Sequence, residues 1–497
     1  MSAATRLPVL SCAEAAAAEA AFLAGDEKLS WQLMNVAARG VGEEALALLG
    51  RKPERILVLA GKGNNGADAF LAALHSARAG TEIIAVFAEG GPGRAQARRA
   101  WSVRKKGVRI GIVAAANMRQ LASHEFCLIF DGILGQGFRA PLSADLRRFL
   151  RDTDKLRGLR IAVDLPSGLG DDATGPAFRA DLTVSIGCLK RPLLAPQAAR
   201  FVGRLRVLDI GLPLGETEEA CVTSAALAPL TRPRRARSDK RHQGRLLIVG
   251  GSERMPGAVI MNTAAALRSG AALVTTCLPE SVRAKAAVAY PEAMWRGLRT
   301  GKDGTIAQDN LKGLRPLLAD IDALLLGSGM GEKAAKLIVG ISADAKSALV
   351  LDADALRPAV ITASPGAQVR ALLPHAGEFK RLSGRVASVA AARAYARRTK
   401  TIVVLKGPLT CVTDGLRVIH IPFGGPVLAR GGSGDLLAGI VTSVLARRSE
   451  LGLTAFDAVV LATTWHARAA DWLRDNHGEE AVRTTELLTG LSPVLRG

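Results

Sequence analysis

The stretch Ala429–Ile440 reads A-R-G-G-S-G-D-L-L-A-G-I, a glycine-rich turn that runs into an apolar sequence with helical spacing. Free backbone N–H groups at the start of such a helix, with its positive dipole end, favour an anion. One carboxylate, Asp435, stands at the mouth of that hole. Amides that hold phosphate, beside an aspartate that takes a hydroxyl proton, suit phosphoryl transfer. Taken alone, the same residues also describe an ordinary helix start with the aspartate as its cap.

A second glycine-rich turn, Gly61–Asp68 (G-K-G-N-N-G-A-D), follows the apolar run Arg55–Ala60 and precedes a helical pattern from Ala69 to Ala79. Strand, turn and helix form the opening unit of a nucleotide-binding α/β domain, although the spacing is not G-x-G-x-x-G. Asn64 and Asn65 add side-chain amides that can coordinate a cation or hold a sugar-phosphate. Two more strand-like runs end in Asp131 and Asp164, followed by G-I-L-G-Q-G-F-R-A and L-P-S-G. Open α/β sheets bind ligands beyond the carboxyl ends of their strands. One carboxylate there is usually a turn or cap residue, whereas two before glycine-containing loops favour a site.

The second half repeats the logic. Strands are expected at Arg245–Val249, Leu273–Cys277, Asp322–Leu326, Ala348–Asp352 and Thr401–Leu405, with a helix over Pro256–Gly270. Their ends carry G-S-G-M-G (Gly327–Gly331), D-A-D (Asp352–Asp354), P-H-A-G-E (Pro374–Glu378) and K-G-P-L-T (Lys406–Thr410). A lone histidine is more often structural than functional, but His375 sits in a loop directly after an apolar strand. Lys406–Thr410 can offer an ammonium and backbone groups to phosphates or a ribose. Asp414-Gly415 reads as a hairpin turn.

The 497 residues imply two or three domains, and the 48% hydrophobic fraction supports substantial cores. The alternation of strands and helices points to α/β layering throughout. No apolar run approaches the roughly 18 residues of a membrane span. The formal charge of +21 invites nucleic acid, but aromatics are only 4% and the cations are scattered. The charge is therefore read as solubility and attraction for anionic small molecules. Six cysteines without a C-x-x-C pair give neither a zinc site nor a disulfide framework, so a reducing, cytoplasmic setting is expected. Leu7–Cys12 loosely resembles a lipoprotein cleavage site, but its apolar run is too short, and Ala13–Ala24 reads as an amphipathic helix. Thr231–Arg245, rich in cations and holding a proline, is the natural boundary. The expected division is residues 1–225, a basic linker over 226–240, and 241–497.

In this order, G-K-G-N-N-G-A-D, D-G-I-L-G-Q-G and D-L-P-S-G resemble the epimerase domain of the NAD(P)H-hydrate repair enzymes. Leu33-Met34 and the opening V-L-S-C-A-E-A-A-A-A-E-A also look like that family's N-terminal helices. The resemblance implies a Rossmann-like three-layer α/β/α domain that interconverts the R and S hydrates of NADH and NADPH (NADHX and NADPHX). By position, Asn64, Asn65, Gly66, Ala67 and Asp68 would contact the hydrate, as would Gly135, Gln136, Gly137, Phe138, Arg139, Ala140, Pro141 and Asp164. Asp131 and Asp164 would be its catalytic carboxylates. Asn65, Asp131 and Ser167 would hold K⁺ through oxygen. The family loop reads N-N-G-G-D-G, against Ala67 and Ala69 here; a methyl where φ must be positive would cost stability or move the loop. The family's Leu-Met-Glu is Leu33-Met34-Asn35.

The segments from Lys240 onward resemble the nucleotide-dependent NAD(P)HX dehydratase, a ribokinase-like α/β domain. The resemblance implies that Ala258, Gly329, His375 and Asp435 bind the hydrate, with Asp435 the catalytic base. Lys406, Gly407, Pro408, Leu409, Thr410 and Gly434 would bind ADP, accompanied by Mg²⁺, with AMP as product. A homo-oligomer without membrane attachment is expected. Ser328, Met330, Arg430 and Ser433 depart from the family motifs; Arg430 would add either a phosphate contact or only charge. Two rivals share parts of the pattern. A ribokinase-like kinase would leave its phosphate on a small alcohol, and an RNA-associated scaffold would not catalyse at all. The attached N-N-G-A-D domain argues against the first, and Asn65, Asp131, Asp164 and Asp435 argue against the second.

Overall fold

The structure, a computed structural model, describes residues 5–173, 175–233 and 243–496. The chain divides into two compact units, Arg6–Thr223 and the part that begins at Ser224. Of the expected linker over 226–240, Ala228–Thr231 forms a short helix, while 234–240 lies outside the described residues. No helix among the described residues is long and apolar enough to cross a membrane.

Strands of the first unit are β1 (Arg6–Leu10), β2 (Arg55–Ala60), β3 (Glu82–Phe87), β4 (Arg109–Val113) and β5 (Glu125–Gly132). They continue with β6 (Arg157–Val163), β7 (Leu182–Ile186), β8 (Leu189–Lys190), β9 (Arg204–Leu208) and β10 (Glu219–Val222). A seven-stranded parallel sheet runs β4-β3-β2-β5-β6-β7-β9. Successive side chains of a strand face opposite sides. Ile56 and Val58 therefore pack with Phe70 and Val41 on one face, while Leu57 and Leu59 pack with Ile129 and Phe149 on the other. This double burial explains why β2 reads as an unbroken apolar run. The short strand β1 pairs antiparallel with β10 and parallel with β8, which sets Leu10 opposite Lys190.

Helix Asn64–Ser76 begins five residues before the expected start at Ala69. Ala67 and Ala69 are thus helical and fully buried, and neither has a positive φ. The cost expected of their methyl groups does not arise. Room for Ala69 comes from across the cleft, where a Cβ on Gly132 would lie 2.5 Å from the Ala69 Cβ.

The second unit contributes β11 (Arg245–Val249), β12 (Leu273–Pro279), β13 (Met294–Leu298), β14 (Ala323–Leu326) and β15 (Ala348–Leu351). After these come β16 (Val369–Leu372), β17 (Ile402–Leu405), β18 (Thr410–Thr413) and β19 (Val418–Ile421). Their order is β13-β12-β11-β14-β15-β16-β17-β18-β19, parallel as far as β17 and antiparallel through the last two. Asp414-Gly415 makes the β18–β19 turn, with Gly415 at φ 92°. Helices Pro256–Arg268 and Ser433–Ala446 pack against each other. At their crossing a Cβ on Gly439 would lie 2.3 Å from the Asn262 carbonyl oxygen, so only glycine allows this approach.

Candidate active sites

In both units the polar groups gather where parallel strands end. In the second, Gly250-Gly251 follows β11, Gly327–Gly331 follows β14, Asp352 follows β15, Pro374-His375 follows β16 and Lys406 follows β17. Beyond them starts helix Ser433–Ala446. Gly432 is its N-cap, at φ 89° and with no side-chain cap bond. Asp435 is therefore the third helical residue and not the cap. Among the described residues the first-turn amides have no side-chain partner, and only Ser433 N is engaged, donating to Arg430 O at 3.3 Å, which leaves Gly434 and Asp435 N–H for an anion.

Lys406 Nζ bonds Asp352 Oδ1 at 3.0 Å and lies 3.7 Å from Glu378 Oε2. A Cβ on Gly434 would lie 3.1 Å from Lys406 Nζ, so the ammonium rests against the helix start. Burial pushes Asp435 up to about 6, and Asp352 pushes the same way, against Lys406 and the nearby Ser328. Burial alone would lower Lys406; Asp352, Glu378 and Asp435 outweigh it and raise the ammonium above its ordinary value. The result is a lysine fixed in its charged form beside an aspartate able to gain and lose a proton near neutral pH.

His375 caps helix Ala376–Ser383: its Nδ1 accepts from Gly377 N at 3.0 Å, and Glu378 Oε2 accepts from His375 N at 2.8 Å. Nδ1 as acceptor assigns the proton to Nε2, on a side chain that is 60% exposed. Ala258 and Gly329 also meet, since a Cβ on Gly329 would lie 3.1 Å from the Ala258 Cβ. Gly407–Leu409 lies between β17 and β18, with Thr410 opening β18. Gly407 and Pro408 are exposed, and Thr410 Oγ1 donates to Gly407 O at 3.3 Å. Arg430 donates to the carbonyls of Glu479 and Glu480, and Thr484 Oγ1 donates to Gly431 O at 2.8 Å. Its guanidinium thus anchors the glycine-rich turn.

In the first unit, Asp131 is fully buried near the end of β5. Ser167 Oγ donates to Asp131 Oδ1 at 2.6 Å, and Ser167 N donates to Oδ2 at 2.8 Å. Leu134 N in turn donates to Ser167 Oγ at 2.8 Å, and Asn65 Nδ2 donates to Leu134 O at 2.7 Å. Asn65, Asp131 and Ser167 therefore form one oxygen-rich cluster. Burial lifts Asp131 to about 6, against the hydrogen bonds from Ser167 and Ile133. Asp164 has a φ of 70°, unusual for a non-glycine residue, and it accepts from Ile186 N at 3.1 Å and from Lys190 Nζ. Lys190 is 1% exposed, and Asp164 outweighs its burial and raises it.

Gln136 turns inward and donates to Glu19 Oε2 at 2.5 Å. Gly137, Arg139, Ala140 and Pro141 are exposed, and Arg139 bonds carbonyls of its own loop. Phe138 packs against Gly170, whose Cβ would lie 3.3 Å from the ring. The Asn64 Oδ1 is buried without a partner among the described residues. Asp68 keeps some contact with solvent, yet desolvation raises it well above the carboxylate range, with Glu19 and Asp164 adding to the rise.

Sequence reasoning missed Glu19, Lys190, Asp352, Glu378 and His466 as site residues. Asp352 and Glu378 stood in the singled-out motifs D-A-D and P-H-A-G-E, which was signal enough. Glu19 and Lys190 come from segments far apart in the chain, and nothing local marks them. His466, inside helix Ala455–His477, is 4% exposed, and its Nε2 has no partner among the described residues. Burial and then Lys406 lower it to about 4.

A family model described as NAD(P)H-hydrate dehydratase matches residues 246–492, and one described as YjeF-related protein N-terminus matches residues 30–192. The bifunctional NAD(P)H-hydrate repair enzyme Nnr of Moorella thermoacetica is 33% identical over 470 residues, 89% of this chain and 87% of the relative. The enzyme of the same name from Pyrobaculum aerophilum is 34% identical over 420 residues, 80% of this chain and 81% of the relative. Among solved structures, a ribokinase-like superfamily protein from Enterococcus faecalis V583 covers 57% of this chain and 97% of its own. Its TM-score of 0.50 at 23% identity is a likeness of fold.

Proposed function

We infer the division of labour from one premise: the chain belongs to the family of bifunctional NAD(P)H-hydrate repair enzymes. Its first unit is the epimerase and its second the dehydratase. Water added across the enamine double bond of a dihydronicotinamide leaves a hydroxyl on the carbon beside the ring nitrogen. Dehydration must remove that poor leaving group from one epimer, and epimerisation makes the other accessible.

In the dehydratase, Asp435 takes the proton of that hydroxyl. The oxygen attacks the terminal phosphorus of ADP, the bridging P–O bond breaks, and AMP leaves. Amides of the Ser433–Asp435 turn and the Lys406 ammonium stabilise the charge that builds on the phosphoryl oxygens. The ring nitrogen's electron pair then expels phosphate, and loss of a proton from the neighbouring carbon restores the double bond. Ala258, Gly329 and His375 line the hydrate side, and Lys406–Thr410 with Gly434 the nucleotide side. Mg²⁺, when bound, would supply charge neutralisation on the phosphates. Among the described residues no group of three or more His, Cys, Asp or Glu is arranged to hold a metal ion. Such an ion would be held chiefly by phosphate and water.

In the epimerase, Asn64, Asn65, Asp68, Gly135–Pro141 and Asp164 face the hydrate, whereas Gly66 and Ala67, expected beside them, are buried in the helix's packed side. Asn65, Asp131 and Ser167 would hold K⁺, and a carboxylate, a hydroxyl and an amide in one hydrogen-bonded cluster match the hard oxygen donors such a cation takes. When bound, the ion supplies a fixed positive charge.

The observation that carries the dehydratase reading is Asp435 at the third position of an uncapped helix, with Lys406 against the same turn. The test supplies acid-generated NADHX, Mg²⁺ and either ADP or ATP. ADP-driven return of NADH absorbance from both epimers supports it. Accumulation of a stable phosphoester would instead favour a kinase.

A further inference from the structure

Helix Pro256–Arg268 meets the glycine-rich turn, and the helix that follows it, through two consecutive residues. Met261 packs on the turn: a Cβ on Gly432 would lie 2.6 Å from the Met261 Cε. Asn262 is fully buried and donates from Nδ2 to the Asp435 carbonyl at 2.8 Å. Its own backbone oxygen is the one that a Cβ on Gly439 would approach to 2.3 Å. Asp435 and Gly439 stand four residues apart in helix Ser433–Ala446, so Asn262 grips one face of that helix at two successive turns.

The helix itself does not need that bond. Within Ser433–Ala446 the Asp435 carbonyl is already served by the N–H four residues on. The Asn262 amide is also a costly group to bury, because its Oδ1 has no hydrogen-bond partner among the described residues. Asparagine is, besides, a weaker helix former than alanine or leucine. Helix propensity and hydrogen-bond satisfaction thus both disfavour this side chain, and its hold on Asp435 is what it contributes. One turn earlier the same helix carries Ala258, beside Gly329 on the hydrate side. We propose that Asn262 is a positioning residue of the dehydratase: it ties the backbone of the base to the helix that lines the hydrate, and so fixes the distance between the two. This rests on Asp435 being the base. The bond reaches a main-chain oxygen, so it sets where the carboxylate stands and not how readily it takes a proton.

The test uses the full chain with NADHX, Mg²⁺ and varied ADP, reading kcat and KM from the fast phase of NADH recovery. Thermal unfolding of the second unit is recorded beside it. Asn262→Leu keeps the branching of the side chain without its polar atoms, and Asn262→Ala removes everything beyond Cβ. In both, kcat should fall on the order of 10- to 100-fold, the scale of a misplaced reacting group. KM for ADP should not change, since Lys406–Thr410 still holds the nucleotide. The acid limb should stay near pH 6, and the Asn262→Leu transition should stay level or rise. Wild-type kcat in both variants overturns the proposal. So does a loss carried by KM alone, or a fall in kcat that comes with a lowered transition in both variants, which marks a merely structural role. Asp435→Asn, measured in parallel, keeps the proposal and its premise apart: turnover there at the wild-type rate would overturn Asp435 as the base.

Discussion

Lys406 Nζ lies 3.0 Å from Asp352 Oδ1 and 3.7 Å from Glu378 Oε2 and also faces Asp435, so one ammonium serves three carboxylates of the dehydratase site. Asp352 is only 3% exposed and loses its charged partner if the lysine goes. Lys406→Met should destabilise the second unit by about 3 kcal/mol, at the lower end for a broken buried pair. It also removes the main group that favours ionised Asp435. The acid limb of the dehydration pH profile should therefore move upward, and KM for ADP should rise. An unchanged acid limb would show that Lys406 does not act on Asp435.

Asp435→Asn should abolish dehydration, with a loss on the order of 10²–10⁴-fold for a general base, and should leave R/S interconversion intact. In the wild type the base must be ionised, and it is pushed up to about 6. Single-turnover dehydration should thus be half-maximal near pH 6 and fall below it. Normal ADP-dependent turnover in the variant would remove Asp435 from the mechanism.

His466 is buried and lowered from its ordinary 6.5 to about 4. Between those values the unfolded chain binds a proton that the folded chain refuses, so stability falls as pH drops from about 6.5 to 4. The loss should approach about 2–3 kcal/mol. Thermal unfolding across that window should show a shallower slope for His466→Gln than for the wild type. Parallel slopes would mean that His466 titrates normally.

Ser167→Ala removes the hydroxyl that joins buried Asp131 to Leu134. Loss of these bonds inside the fold should cost about 1–3 kcal/mol. The transition of residues 6–223 should move down in temperature while that of the second unit stays. A K⁺-over-Na⁺ preference of interconversion, if Ser167 is a ligand, should weaken in the same variant.

Much of this was readable before the fold was known, because short buried strands and glycine-rich turns announce themselves locally. β2 and the turn after it, or β11 and Gly250-Gly251, need no tertiary information. The start of helix Asn64–Ser76 was misplaced because N-N-G looks like a turn; buried contacts of Ala67 and Ala69 make it helical. Lys190 was invisible for a different reason. It gains meaning only when β8 pairs with β1 and sets it beside Asp164, across 26 residues of chain. His466 lay within an apolar helical pattern, and only the folded chain shows that it is buried, with Lys406 adding to the effect of burial.

The anchoring of the glycine-rich turn has a consequence for synthesis on the ribosome. Lys406, Asp435 and the loops before them have all been synthesised by the time residue 446 is made. The clamps from Arg430 to Glu479 and Glu480, and from Thr484 to Gly431, are formed by later residues. Domains fold in turn as the chain emerges, so residues 6–223 can mature first. A chain stopped short of Glu479 would carry every acid and base of both sites, yet leave its phosphate cradle untethered. Such a fragment should still interconvert epimers while failing to consume ADP, so dehydration is the last capability that translation completes.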